Sequence, residues 1–236
     1  MRLYRDSGVV LRTIKLGESD RIVTLVTEGR GKVRAVAKGV RKTKSRFGGR
    51  LEPMTHVALQ LYEGRELDTI TQAETVDHFR AIRDDLDRVA KAQALLEVVD
   101  QVAQERQANA ALYRMLVGAL RALAAANAPL LVPAFFWKLL ALEGFEPVLD
   151  RCVSCGAEDD LVAFDLDEGG ALCRTDRRGA SISPEALDLM RRILGGELAA
   201  ALNEPASDAT HEVTHLATHS LEHHLERRLK SIGTVL

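Results

Sequence analysis

Aromatic side chains are scarce in this chain, at 4% of 236 residues, and tryptophan occurs once. Cysteine occurs three times, an odd number that excludes a fully paired disulfide framework; with metal-like spacing it suits a reducing cytoplasm. No run of about eighteen apolar residues is present, so no membrane span is expected. The opening MRLYRDSGVVLRTIKLGESD lacks the apolar stretch and small-residue cleavage site of a secretion signal. Catalytic signatures are missing too: there is no Gly-x-x-x-x-Gly-Lys-Ser/Thr phosphate loop, no His-Glu-x-x-His and no Gly-x-Ser-x-Gly elbow. These absences predict a cytoplasmic protein that is not an enzyme.

Acids are in short supply at one end only. Residues 1–50 hold fourteen Lys/Arg against four Asp/Glu, a balance of +10, while the remainder holds eighteen against thirty, a balance of −12. The overall net charge of −2 conceals this segregation. It implies that the N-terminal part meets a polyanion and the rest meets something else. With 46% hydrophobic and 28% charged residues, the composition is that of an ordinary globular protein, long enough to bury a core in one large domain or two to three small ones.

Short β-branched runs fill the first eighty residues: SGVVLRTI, DRIVTLVT, GKVRAVAK, THVALQLY and ELDTITQA, separated by Gly or charged turns. In GKVRAVAK, Val33, Ala35 and Ala37 point one way and Arg34, Val36 and Lys38 the other. Five such strands suit a small Greek-key barrel of the OB type; an SH3-like barrel competes. From Asp84 the period becomes helical. Leu86, Val89, Ala90, Ala92, Leu96, Val99 and Ala103 form one stripe, and Leu112, Met115, Leu116, Ala119 and Leu123 a second. Pro133 is expected to open a third helix that stops at Gly144. Ser183-Pro184 should cap EALDLMRRIL, and Ser207 or Asp208 a last helix running through LEHHLERRLKS. The predicted class is α+β: an OB-type barrel over 1–80, then a helical domain over 81–236 carrying a zinc-finger-like insertion at 150–178.

The loop KGVRKTKSRFGGR holds Lys38, Arg41, Lys42, Lys44, Arg46 and Arg50 with no acid among them. Such a run cannot pack, since each buried charge would lack a partner. It is either a solvated hairpin loop or a contact for phosphate. Three features favour phosphate: it joins two barrel strands, it contains Gly48-Gly49, and Arg34 projects outward from the strand before it. Loops of OB barrels line the groove in which single strands lie. For base stacking the first eighty residues offer only Tyr4, Phe47, Tyr62 and Phe79, some of which must fill the core. Contacts should therefore be mainly to phosphate, with little sequence preference.

The stretch GESDRIVTLVTEGRGKVRAVAKGVRKTKSRFGGRLEP resembles the N-terminal signature of the RecO family of bacterial recombination proteins. The resemblance resumes at KLLALEGFEPVLDRCVSCG and again at HHLERRLKS. It implies an OB domain and a helical domain, binding of single- and double-stranded DNA, and annealing of complementary strands. It further implies association with RecR and with the acidic tail of single-stranded DNA-binding protein, in support of RecA loading. The family's DNA-binding loop maps onto Lys38, Arg41, Lys42, Lys44 and Arg46, with Arg21 and Arg34 as weaker additions. An amphipathic groove with an Arg/Lys rim would suit the acidic tail.

Between Arg151 and Gly179 lie Cys152-x-x-Cys155 and Cys173-x-x-Asp176. Two thiolates two residues apart can reach one tetrahedral ion, and a second pair across a loop closes the site; Asp ligates zinc at about 2.0–2.2 Å against about 2.3 Å for sulfur. The family often carries four cysteines here, and this chain departs at Asp176. The expectation is a structural zinc on Cys152, Cys155, Cys173 and Asp176. A metal-free loop with buried thiols and a histidine ligand from elsewhere are the alternatives. The intervening EDD and DLDE acids read as a solvated turn, with no general base for catalysis among them. His211, His215, His219 and His223 form a ridge off the apolar stripe of Val213, Ala217, Leu221, Leu225 and Leu229. They read as a solvated face, whereas His224 reads as a packed core histidine. The function expected is that of a DNA-binding, strand-annealing repair mediator, cytoplasmic and nucleoid-associated. A metal-dependent nuclease and an OB-type RNA-binding assembly factor are the rivals.

Overall fold

The computed structural model describes residues 2–231. All five anticipated strands form: β1 (Leu3–Leu16), β2 (Asp20–Thr27), β3 (Gly31–Ala37), β4 (His56–Tyr62) and β5 (Asp68–Asp77). They close a barrel in the order β1-β2-β3-β5-β4, sealed by β4 against β1 and with β3 parallel to β5. This is the OB order, and it excludes the SH3-like alternative. β1 begins at Leu3 rather than Ser7, which lets its first residues pair with β4 while its later ones pair with β2. Alternation along β3 is as the pleat demands: Val33, Ala35 and Ala37 are buried, while Lys32, Arg34 and Val36 lie part-way out. Gly31 is required where it stands. Its φ is +66°, and a Cβ there would sit 1.8 Å from the Gln107 carbonyl oxygen.

Three helices follow: α1 (Arg80–Arg83), α2 (Leu86–Val102) and α3 (Ala110–Ala125). The Asp85 carboxylate caps α2 by accepting from the amides of Asp87 and Arg88. Of the stripe anticipated on α2, Ala92, Leu96, Val99 and Ala103 are buried, and the packed face is wider than the stripe. Leu86, at the first helical position, is the departure at 89% exposed, and Leu95 and Val98 are buried as well. The expected domain boundary at residue 80 marks where strands give way to helices, but contacts divide the chain later. One compact unit extends through Ala125 and includes Lys230 and Ser231; the other is Ala126–Leu229. α2 is tied to the barrel by Arg12 paired with Asp100 at 2.5 Å, and by Lys32 Nζ donating to the Asp100 carbonyl at 2.6 Å.

His56 on β4 is 5% exposed, with Nε2 2.7 Å from the Tyr113 hydroxyl and 3.1 Å from the Ser7 hydroxyl. Burial, reinforced by Arg121, holds its pKa below the ordinary 6.5. In the unfolded chain the imidazole titrates normally, so below pH 6.5 the unfolded state binds more protons. Stability from this group is fully present above that pH and declines as pH falls through it. Urea midpoints should therefore drop between pH 7.5 and pH 5.5, and His56→Gln should remove that histidine-dependent part of the slope. An unchanged slope in the variant would refute the assignment.

The second unit holds α4 (Leu131–Leu142), a small sheet of β6 (Leu161–Asp165), β7 (Gly170–Cys173) and β8 (Ala180–Ser181) in the order β7-β6-β8, then α5 (Pro184–Leu194), α6 (Leu198–Ala201) and α7 (Asp208–Leu225). Pro133 is the third residue of α4 rather than its first; Gly144, at φ +92°, ends the segment as expected. Ser183 caps α5, and Ser207 caps α7 in a reciprocal box with Thr210. α7 stops at Leu225, short of the anticipated Ser231, because Glu226 turns left-handed at φ +50°. Leu229 is buried but lies outside the helix. His211, His215, His219 and His223 are exposed. His224 is not a core residue: it is half-buried, with its ring 3.9 Å from that of Phe145. Among the described residues no helix is long and apolar enough to cross a membrane.

Candidate nucleic-acid interface and metal centre

The basic loop between β3 and β4 is fastened at both ends. At its root, Asp20 Oδ1 accepts from the Gly39 amide at 2.7 Å, and the Arg41 amide donates to the Ser19 carbonyl at 2.9 Å. The Arg41 guanidinium also reaches the Glu18 carbonyl at 2.9 Å, so the loop lies along the β1–β2 turn. The Gly39 amide, then the Ser19 hydroxyl, with the Lys38 and Lys42 charges, hold the Asp20 carboxyl below its usual range. At the far end Phe47 and Leu51, each 1% exposed, fill the barrel core beside Val10, Leu25, Val57 and Leu61. Burying a phenylalanine contributes about 1.5–3 kcal/mol.

Between these anchors Lys42, Lys44 and Arg46 are exposed, as is Lys38 before them. Among the described residues no carboxylate lies within ion-pair distance of Lys38, Arg41, Lys42, Lys44, Arg46 or Arg50. Arg46 rests over the Phe47 ring at 4.8 Å, and Arg50 donates to the Arg46 carbonyl at 2.7 Å. The two weaker candidates are engaged elsewhere: Arg21 pairs with Glu52 at 2.7 Å and Arg34 with Glu105 at 3.9 Å. Lys15, which faces Arg21 across the β1–β2 ladder and is exposed, was not anticipated. Its position two residues before the Gly17 turn, opposite a basic residue, was the available signal. Of the four aromatics, Phe47 and Phe79 are buried and Tyr4 lies under Arg30 at 3.8 Å; Tyr62 alone is 43% exposed.

In the second unit the four expected ligands converge. Cys152 and Cys155 sit on a turn closed by the Gly156 amide donating to the Cys152 carbonyl at 2.9 Å, and Cys173 ends β7. One ligand atom from each of Cys152, Cys155, Cys173 and Asp176 lies within 4.8 Å of all the others. Around a tetrahedral ion the bond lengths above require S···S separations of about 3.8 Å and S···O separations of about 3.5 Å. The observed values are 3.7 Å for Cys155–Cys173, 3.4 Å for Cys152–Asp176 and 3.5 Å for Cys173–Asp176. The donor set therefore fits a metal ion, three sulfurs and one carboxylate oxygen. The thiols of Cys155 and Cys152 hold the Asp176 carboxyl below its ordinary range, and that contact pushes the Cys155 thiol up to about 12.

The intervening acids are not a solvated turn throughout. Asp160 is held by Arg174 through two bonds of 2.8 and 3.1 Å. Asp165 is 7% exposed, pairs with Arg178 at 2.6 Å and accepts from the amides of Asp167 and Glu168. Local composition could not show this, because Arg178 approaches from beyond β7.

Comparison with known proteins bears on both units. Residues 1–79 match the family model for the recombination protein O N terminus, and residues 83–232 match that for the recombination protein O C terminus. The chain belongs to the RecO family. A DNA repair protein RecO of Nocardioides sp. is 48% identical over 214 residues, which cover 87% of this chain and 87% of that protein. Membership of RecO supports a role in DNA repair and recombination. The two family segments meet near the expected boundary at residue 80, so the basic loop falls in the N-terminal segment and the Cys/Asp cluster in the C-terminal one.

Proposed function

We propose that this RecO-family chain is a DNA-binding, strand-annealing mediator of recombinational repair, without catalytic activity of its own. The observation that carries this reading is the exposed cationic segment 42–46, strung between a hydrogen-bonded root and a side chain buried in the barrel. A charge held outward on a rigid scaffold loses little freedom when it meets phosphate. Neutralising two backbones at once lowers their repulsion and lets complementary bases find each other. RecR and the acidic tail of single-stranded DNA-binding protein are the partners the family implies, with RecA loading as the outcome in a cytoplasmic, nucleoid-associated setting. Cys152, Cys155, Cys173 and Asp176 would hold a zinc ion whose contribution is to cross-link the turn to β7.

The nuclease rival lacks support: of the acids between Cys155 and Cys173, Asp160 and Asp165 are committed to Arg174 and Arg178. With about five phosphates met by Lys38, Arg41, Lys42, Lys44 and Arg46, the log–log salt dependence on single strands should have a slope near −3.5, at about −0.7 per phosphate. Fluorescence anisotropy across a salt series measures it, and a slope near zero would sink the proposal. Labelled strands kept with the protein and Mg²⁺ or Mn²⁺ should retain their length. RNA of equal length should compete no better than DNA.

A further inference from the structure

Four histidines stand in file on α7: His211, His215, His219 and His223, each four residues from the next and each exposed. Residues at that spacing share a helix face with Cβ atoms about 5–6 Å apart, close enough for two imidazoles to reach one ion. The four are not equivalent. The rings of His215 and His219 lie together, with centroids 4.0 Å apart and planes inclined by 35°. Among the described residues, they are the only two of the four whose rings touch. His219 Nδ1 donates to the His215 carbonyl oxygen, one turn back, at 2.8 Å. A carbonyl only accepts, so this bond places the proton of the neutral ring on Nδ1 and leaves the Nε2 lone pair free. A bond of that kind to the second ring nitrogen steadies the ligating histidines of metal sites. His223 is drawn elsewhere, its Nε2 3.5 Å from Asp167 Oδ1. The carboxylates of Glu212 and Glu222 on the same helix accept from the amides of Ser183 and Leu229.

We propose that His215 and His219 form a two-imidazole site for a divalent transition-metal ion, held by one ring nitrogen of each, with water in the remaining positions. Their exposure leaves both rings free to turn toward a common ion. Imidazole suits zinc, copper and nickel, whereas Mg²⁺ and Ca²⁺ take oxygen donors. Two protein donors make the site open and exchangeable, in contrast to the four-donor Cys/Asp cluster. It shares no residue with that cluster and does not depend on DNA binding.

Nickel is the probe. Titration calorimetry with Ni²⁺ should find one equivalent more on the parent chain than on the double variant His215→Gln with His219→Gln. Whatever the Cys/Asp cluster binds is common to both proteins, so the difference belongs to the histidines. Joining two donors makes the second contact intramolecular, so either single substitution should weaken this equivalent by at least about tenfold. His211→Gln and His223→Gln should leave it unchanged, and an excess of Mg²⁺ should not displace the nickel. In metal-free buffer the variants should melt with the parent, because all four side chains are exposed. Three results would overturn the proposal: equal nickel binding by the parent and the double variant, a loss at His211→Gln as large as at His219→Gln, or displacement by Mg²⁺.

Discussion

Replacing Lys42, Lys44 and Arg46 together by alanine is expected to weaken retention of a labelled single strand by about two to three orders of magnitude at about 50 mM salt. Each phosphate neutralised on a single strand contributes about −0.7 to the salt slope, so three lost contacts should also bring the slope from about −3.5 to about −1.4. The loss is specific to these three because both ends of the loop are held by other groups. Asp20, Arg41 and Phe47 are untouched, and the exposed side chains contribute nothing to the barrel core. The melting temperature should therefore stay within a degree or two. Arg21→Ala is the contrasting variant. Its guanidinium already faces Glu52 at 2.7 Å, so its removal should cost less than about threefold. If the triple variant bound as tightly as the parent chain, the assignment of the loop to phosphate would fall.

Much of the placement of this basic loop was legible in the amino-acid order because the information was local. Val33, Ala35 and Ala37 alternate with Arg34 and Val36 in a way only a half-buried strand tolerates, and the acid-free run from Lys38 to Arg50 had nowhere to go but the surface. The cysteine spacing was equally local, since two turns bring four ligands together whatever surrounds them. What escaped was set by contacts distant in sequence. Phe47 could be read as a stacking ring or a core residue, and only the closed barrel makes it a plug. Leu86 fits a helical stripe by spacing yet faces solvent, because it stands at the first position of α2, while Ala92, Leu96 and Val99 of the same stripe are buried. The end of α7 at Leu225 reflects a left-handed Glu226, which no propensity announces. Asp165 looked like one of a solvated group of acids, and its partner Arg178 lies across a strand.

The Cys/Asp cluster gives the other large expected effect. Protein purified without added zinc should carry close to one equivalent, and less than about 0.2 equivalents would reject the metal. A ligand bound to the folded state alone stabilises it by about 4 kcal/mol at a thousandfold excess over its dissociation constant. For a unit of this size, each kcal/mol shifts the midpoint by about 4–8 °C, so stripping the ion should lower melting of the second unit by about 15–30 °C. Trp137 lies in that unit and Tyr4, Tyr62 and Tyr113 in the other, so tryptophan emission isolates the transition. Asp176 is the decisive residue. Its carboxylate stands 3.4 Å from Cys152 Sγ and 3.5 Å from Cys173 Sγ, at the separations a shared tetrahedral ion imposes. Asp176→Ala should remove one donor and most of the zinc-dependent rise in melting temperature, whereas Asp176→Cys should keep the metal and the stability. Should Asp176→Ala hold zinc as firmly as the parent chain, the fourth ligand is not this carboxylate, and the convergence of the four side chains would be a consequence of packing rather than of coordination.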